Sequence, residues 1–107
     1  MKIAIPSSED SQESLISNNL GRSLFIAIYD EDTKSYSFFE NLGFKIQDGS
    51  GLKAAEIIIQ NKADVLLTME IGQKAYSILS KEHVEIHIID SHSKVKGIIK
   101  NFLKIGG

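Results

Sequence analysis

Three short segments carry the residue types best suited to holding a negatively charged ligand: Gly49-Ser50-Gly51, Gly72 after Ile71, and Gly21-Arg22-Ser23. A glycine pair opening one helix and a glycine in the first turn of the next place unpaired backbone N–H groups at loop ends, where an anion can approach closely. Each helix N-terminus contributes only about 0.3 to 1 kcal/mol at an exposed site, so the pair is a weak cradle unless side chains add to it. Arg22 is the natural addition, because a guanidinium meets carboxylate or phosphate oxygens in pairs. Each feature also has a plain reading. The glycines can serve a tight turn, and Arg22 can pair on the surface with Glu9, Asp10 or Glu13. Gly49-Ser50-Gly51 lacks the third glycine and acidic partner of a dinucleotide site, and no Gly-Lys-Ser/Thr follows to make a P-loop.

Other chemistries find less support. His83 falls in a turn away from the glycine segments, His87 beside Glu85 on the more polar face of an edge strand, and His92 in the loop before the last helix. None has the spacing of a dedicated metal site, and His92 reads first as a solvated loop residue. A serine hydrolase would need Gly-x-Ser-x-Gly on a strand-to-helix elbow, which the sequence does not contain. A nuclease holding Mg²⁺ would need an aspartate on the first strand, and Lys2-Ile3-Ala4-Ile5-Pro6 has none. Met69 could touch a soft or hydrophobic ligand, although methionine there is more often core filling.

The elements that must position these residues follow from periodicity. Lys2 to Pro6 is a short strand, stopped where proline cannot donate to a ladder. Ser7 to Gly21 is a long polar connection, of the length that is usually functional or mobile, and both are expected. Leu24 to Asp30 and Ser35 to Glu40 flank a four-residue turn and predict an antiparallel hairpin. After a loop from Asn41 to Gly49, Leu52, Ala55, Ile58 and Ile59 mark one face of a helix ending near Asn61. Val65 to Thr68 is a strand buried on both faces. Ile71, Ala75, Ile78 and Leu79 stripe a second helix, Val84 to Ile89 is the fifth strand, and Val95, Ile98, Ile99, Phe102 and Leu103 stripe a third helix.

The order β β β α β α β α predicts a three-layer α/β domain spanning residues 1–107, with a mixed five-stranded sheet in which only strand two runs backwards. The crossovers from strand three to four and from four to five predict parallel neighbours. Geometry then brings residues 7–23, 41–51, 69–72 and 90–93 to one edge of the sheet, outside the carboxyl ends of the strands, where ligands of open α/β sheets bind. The opposite edge receives only tight turns near Asp32, Asn61 and Glu82.

Composition narrows the partners. Twelve basic against fourteen acidic residues, with no basic run longer than a pair, argue against nucleic acid. No apolar window approaches the roughly 18 residues of a membrane span, and the start is too short for a signal peptide, so a cytoplasmic location is expected. With no cysteine, thiolate metal sites and a permanent cysteine-ligated cluster are excluded.

Ile3-Ala4-Ile5-Pro6, Ser17 with Leu20-Gly21-Arg22-Ser23, Phe25 to Asp30, Gly49-Ser50-Gly51 with Ala54-Ala55, Asp64 to Thr68, Ile71-Gly72 with Ala75-Tyr76, and Leu79 followed by Val84 to Ile86 together resemble the dinitrogenase iron-molybdenum cofactor biosynthesis family, the small domain of NifX-type and NifB-type proteins. The resemblance covers almost the whole chain and rests on order and spacing. It implies a ribonuclease H-like fold and a non-enzymatic carrier or accessory role. The implied cargo is an anionic iron–sulfur or iron–molybdenum-type cluster bound transiently, with other cofactor-assembly proteins as partners. Its residues here would be Ser7, Asn19, Gly21, Arg22, Gly49, Ser50, Gly51, Met69 and Gly72. The sequence departs from the family at two points: Asn19 stands where Ser-x-His-Phe-Gly-Arg has histidine, and Met69 and Gln73 replace a small residue and a proline at the start of helix two. The alternative is a module for a phosphorylated or carboxylated small molecule, or a regulatory protein contact, with cluster binding lost. A monomer or weak dimer is expected, the edge carrying Tyr36 and Phe38 being the surface for pairing.

Overall fold

Pro6 does not end the first strand; Ser7 continues it, because proline's missing donor is tolerated where the ladder does not need it. The computed structural model describes residues 1–45 and 50–104. In it the strands are β1 (Lys2–Ser7), β2 (Phe25–Asp30), β3 (Ser35–Glu40), β4 (Val65–Thr68) and β5 (Glu85–Ile88), and the helices α1 (Ser50–Gln60), α2 (Gln73–Lys81) and α3 (Val95–Lys104). The sheet order is β3-β2-β1-β4-β5. β1 pairs antiparallel with β2 and parallel with β4, β2 antiparallel with β3, and β4 parallel with β5. Only β2 runs backwards, as expected. The β4-to-β5 crossover joins neighbours, whereas β3 and β4 are parallel but separated by β2 and β1, so α1 carries the chain across two strands.

Alternation along the strands assigns two cores. Ala4, Ile26, Ile28 and Leu66 point to α1 and α2, where Ala54, Ala55, Ile58, Ala75 and Leu79 meet them. Ile3, Ile5, Ala27, Val65 and Leu67 point the other way, to Val95, Ile98, Ile99 and Phe102 of α3. The result is the three-layer, ribonuclease H-like arrangement. Two striped positions differ from expectation. Leu52 and Ile78 are exposed, because Ala54, Ala55 and Ile58 on α1 and Ala75 and Leu79 on α2 form the buried faces.

The segment between β1 and β2 is tied down along its length. Ile16 bridges Ser7, Leu15 bridges Lys94, and Asn19 bridges Glu70. Ile16 and Leu20 are fully buried, one in each core, so the polar connection is anchored by these two apolar side chains, while Leu15 and Leu24 are exposed. Glu13 pairs with Lys94 and Lys96 of the α3 region. At the far edge, Lys34, Lys62 and His83 hold positive φ angles of 55°, 56° and 63°, at the turns predicted there.

Candidate functional site: a cleft between two helix starts

The pairings Ser7 with Phe25, Phe25 with Glu40, and Thr68 with Ile88 align the ends of β1, β3, β4 and β5 and the start of β2 on one rim. Residues 20–22 form a 3₁₀ turn there. Asn19 caps it, its Oδ1 accepting from the Gly21 N–H at 3.0 Å. That bond consumes the Gly21 donor, so Gly21 shapes the turn and does not offer its N–H outward. The Leu20 N–H donates to Glu70 C=O at 3.0 Å, and Thr68 Oγ1 donates to the same carbonyl at 3.1 Å, joining this turn to the end of β4.

Asn41, which sequence reasoning placed only in a loop, is the second anchor. Its side chain is fully buried. Nδ2 donates to the Ser23 carbonyl at 2.9 Å and the Gly21 carbonyl at 3.4 Å, while Oδ1 accepts from Gly43 N–H at 3.2 Å. It therefore clamps the Gly21-Arg22 turn to a second 3₁₀ turn, Leu42–Lys45. The readable signal was an asparagine two residues before a glycine at a strand end, the pattern of an Asx turn.

Asn19, Gly21, Arg22, Gly51, Gly72 and Ala75 line a cleft of about 230 Å³. The Arg22 turn and both glycine-led helix starts thus meet in one place. Gly72 is the N-cap of α2 in extended conformation (φ −73°), outside the first turn where the sequence pattern put it, and no side chain caps the helix. Neither α1 nor α2 has an acidic residue in its first turn. The N–H groups of Gln73, Lys74 and Ala75, which precede the first intrahelical bond from Tyr76 N–H to Gly72 C=O at 3.0 Å, lack an intrahelical acceptor. A second cleft of about 320 Å³ adjoins the first through Asn19 and Arg22 and adds Ser8, Ser17, Asn18 and His92. His92 thereby lines the same cleft as Arg22, on the rim where topology placed both although 70 positions separate them.

Two predicted residues stand elsewhere. Ser7 is fully buried, and its hydroxyl is engaged with Ser14 Oγ at 2.6 Å and the Glu9 carbonyl, so it closes the loop behind the rim. Met69 packs against the α3-side core. Gly49 lies outside the described residues; Ser50 opens α1. His83 sits at the far edge beyond α2, and His87 has its Nε2 3.3 Å from Glu85 Oε1 and its ring edge-on to Phe102. Among the described residues no group of three His, Asp or Glu side chains could hold a metal ion.

The sequence matches the model of the dinitrogenase iron-molybdenum cofactor family over residues 1–105. The chain belongs to that family. Its fold is shared by the apo form of the orange protein from Desulfovibrio gigas, at a TM-score of 0.90 and 23% identity over 96% of this chain and 87% of that one. A candidate NifB protein from Thermotoga follows at 0.85 and 22% over 96% and 87%. A candidate dinitrogenase from Methanocaldococcus jannaschii follows at 0.71 and 21% over 97% and 88%. No curated protein sequence matches this one. Among the described residues no helix is long and apolar enough to cross a membrane.

Proposed function

We propose that this domain acts by binding, not catalysis, and that its rim receives an anionic iron–sulfur-based cofactor precursor as cargo. The observation carrying the proposal is the convergence of Arg22 with the uncapped start of α2 in one cleft. Family membership supplies the class of cargo. The donor set fits reversible retention of an anion: with no cysteine in the chain, hold comes from the guanidinium, the α2 N–H groups and amide side chains, with His92 as the nearby imidazole. Such a site releases its cargo readily, as a carrier or accessory protein working with other cofactor-assembly proteins must.

The same groups suit phosphate or carboxylate, so the test has two arms. Anaerobic incubation with a synthetic iron–sulfur cluster donor, followed by metal analysis and visible spectroscopy, should show cluster uptake that falls about tenfold in Arg22→Ala. A colourless, metal-free product would reject the cluster reading. Thermal stabilisation by nucleotides or sugar phosphates in its place would assign the rim to a phosphorylated small molecule.

A further inference from the structure

The other end of the sheet offers a surface with a definite complement. β3 is a terminal strand, and the direction of its outward groups can be derived. The Asn41 N–H donates to Leu24 C=O at 2.8 Å, which makes Leu24 and Asn41 a hydrogen-bonded pair. Alternation along the antiparallel ladder then turns Ser35, Ser37 and Phe39 inward to β2. Glu31 N–H donating to Met1 C=O at 2.9 Å gives the same answer from the β1 side, because it commits the odd-numbered residues of β2 to β1 and leaves the even ones for β3. Tyr36, Phe38 and Glu40 therefore aim their N–H and C=O groups off the open edge.

We propose that this edge pairs with a second copy of the chain, antiparallel about a two-fold axis at Ser37, to form a continuous ten-stranded sheet. In that register the outward groups of Tyr36 bond those of Phe38 in the other copy. Ser37 faces its own counterpart, and Ser35 faces Phe39. Lys34, at the turn just before the strand, stands off the end of the ladder toward Glu40 of the other copy, and the symmetry makes this contact twice. The pairing is self-complementary in charge as well as in hydrogen bonding. Side chains agree: Tyr36 and Phe38 share the α3 face, already stacked at 6.0 Å with planes 12° apart, and both are only partly buried in the single chain. The two-fold places each Tyr36 beside the other copy's Phe38, extending the Tyr29, Tyr36, Phe38 aromatic row across the junction.

Sedimentation equilibrium of the wild-type chain should show a reversible dimer. Glu40→Lys and Lys34→Glu should each weaken it about tenfold, since each sets two like-charge contacts in place of attractive ones. The double variant, with the charges exchanged, should restore association to within about threefold. Glu40 and Lys34 are exposed, so far-UV circular dichroism should confirm that each variant is folded. A wild type that remains monomeric at several hundred micromolar overturns the proposal. A dimer unaffected by the single changes, or not recovered in the double, overturns this register and its edge.

Discussion

The two helix starts that face each other across the cleft look alike in sequence, a glycine just ahead of an amphipathic run, yet they are glycine for different reasons. A Cβ built on Gly51 would lie 3.3 Å from the Ala75 Cβ of α2, whereas one built on Gly72 would meet nothing within 4 Å. At Gly51 the missing side chain lets α1 and α2 close on each other. At Gly72 it leaves the mouth of the cleft open above uncapped N–H groups. Both line the cleft, but one glycine serves packing and the other leaves the mouth open.

The change that should erase this contrast altogether is Asn41→Ala. It removes the clamp that ties the Gly21-Arg22 turn to the Leu42–Lys45 turn, leaving the buried Ser23 carbonyl without its 2.9 Å partner. A loss of about 2 to 3 kcal/mol, read from urea unfolding midpoints, is expected. Cluster or anion uptake should fall with it, even where most of the protein is folded. Retained stability would mean the turn is positioned by Asn19 and Glu70 alone.

Gly51→Ala and Gly72→Ala sharpen the comparison. The first sets a methyl 3.3 Å from the Ala75 Cβ and should cost about 1 kcal/mol at most, since alanine's better helix propensity offsets part of the crowding. Pairing it with Ala75→Gly, itself a costly change in a helix, should give a double variant less destabilised than the sum of the two single effects. Gly72→Ala should cost about 0.5 to 1 kcal/mol, the ordinary penalty of alanine for glycine at an N-cap, with no crowding added because its surroundings are open. It should nevertheless weaken anion binding by placing a methyl group in the cleft. If Gly72→Ala, and not Gly51→Ala, coupled to Ala75→Gly, the assignment of roles would be reversed.

The difference between these glycines explains what could be read in the sequence. The chemistry of a strand shows in its alternation, as in Ser35 to Glu40, or in an unbroken apolar run, as in Val65 to Thr68, and both were legible to the residue. The rim was legible too, because topology alone collects strand ends. What escaped was set by contacts between distant segments. Ser7 is a polar residue whose hydroxyl is satisfied by Ser14 and Glu9 in a loop that folds back on itself. Leu52 repeats at helical spacing but looks outward, because the buried arc of α1 is fixed by how closely Gly51 meets Ala75. For His92 topology gave the rim, and the bridge from Leu15 to Lys94 is what the structure adds to bring it into a cleft with Arg22.

That strap makes the smallest prediction. Glu13, on the connection that ends in Asn19, is held below the usual carboxylate range first by its hydrogen bond to Lys96 and then by that to Lys94. A carboxyl whose folded pKa is depressed contributes stability that is fully present above its unfolded value, near 4.3. That contribution is lost as pH falls through the lower, folded value. Glu13→Gln should therefore lower the melting temperature slightly at pH 7, with the difference from wild type shrinking toward zero as the solution is acidified below pH 4. Because Glu13 is fully exposed, salt should shrink it as well. If the strap positions Asn19, Glu13→Gln should also weaken anion uptake at the cleft at pH 7, by less than Gly72→Ala does. Equal uptake in wild type and Glu13→Gln would show that Leu20, buried in the α1 and α2 core, and its bond to Glu70 suffice to hold Asn19 in place without help from α3.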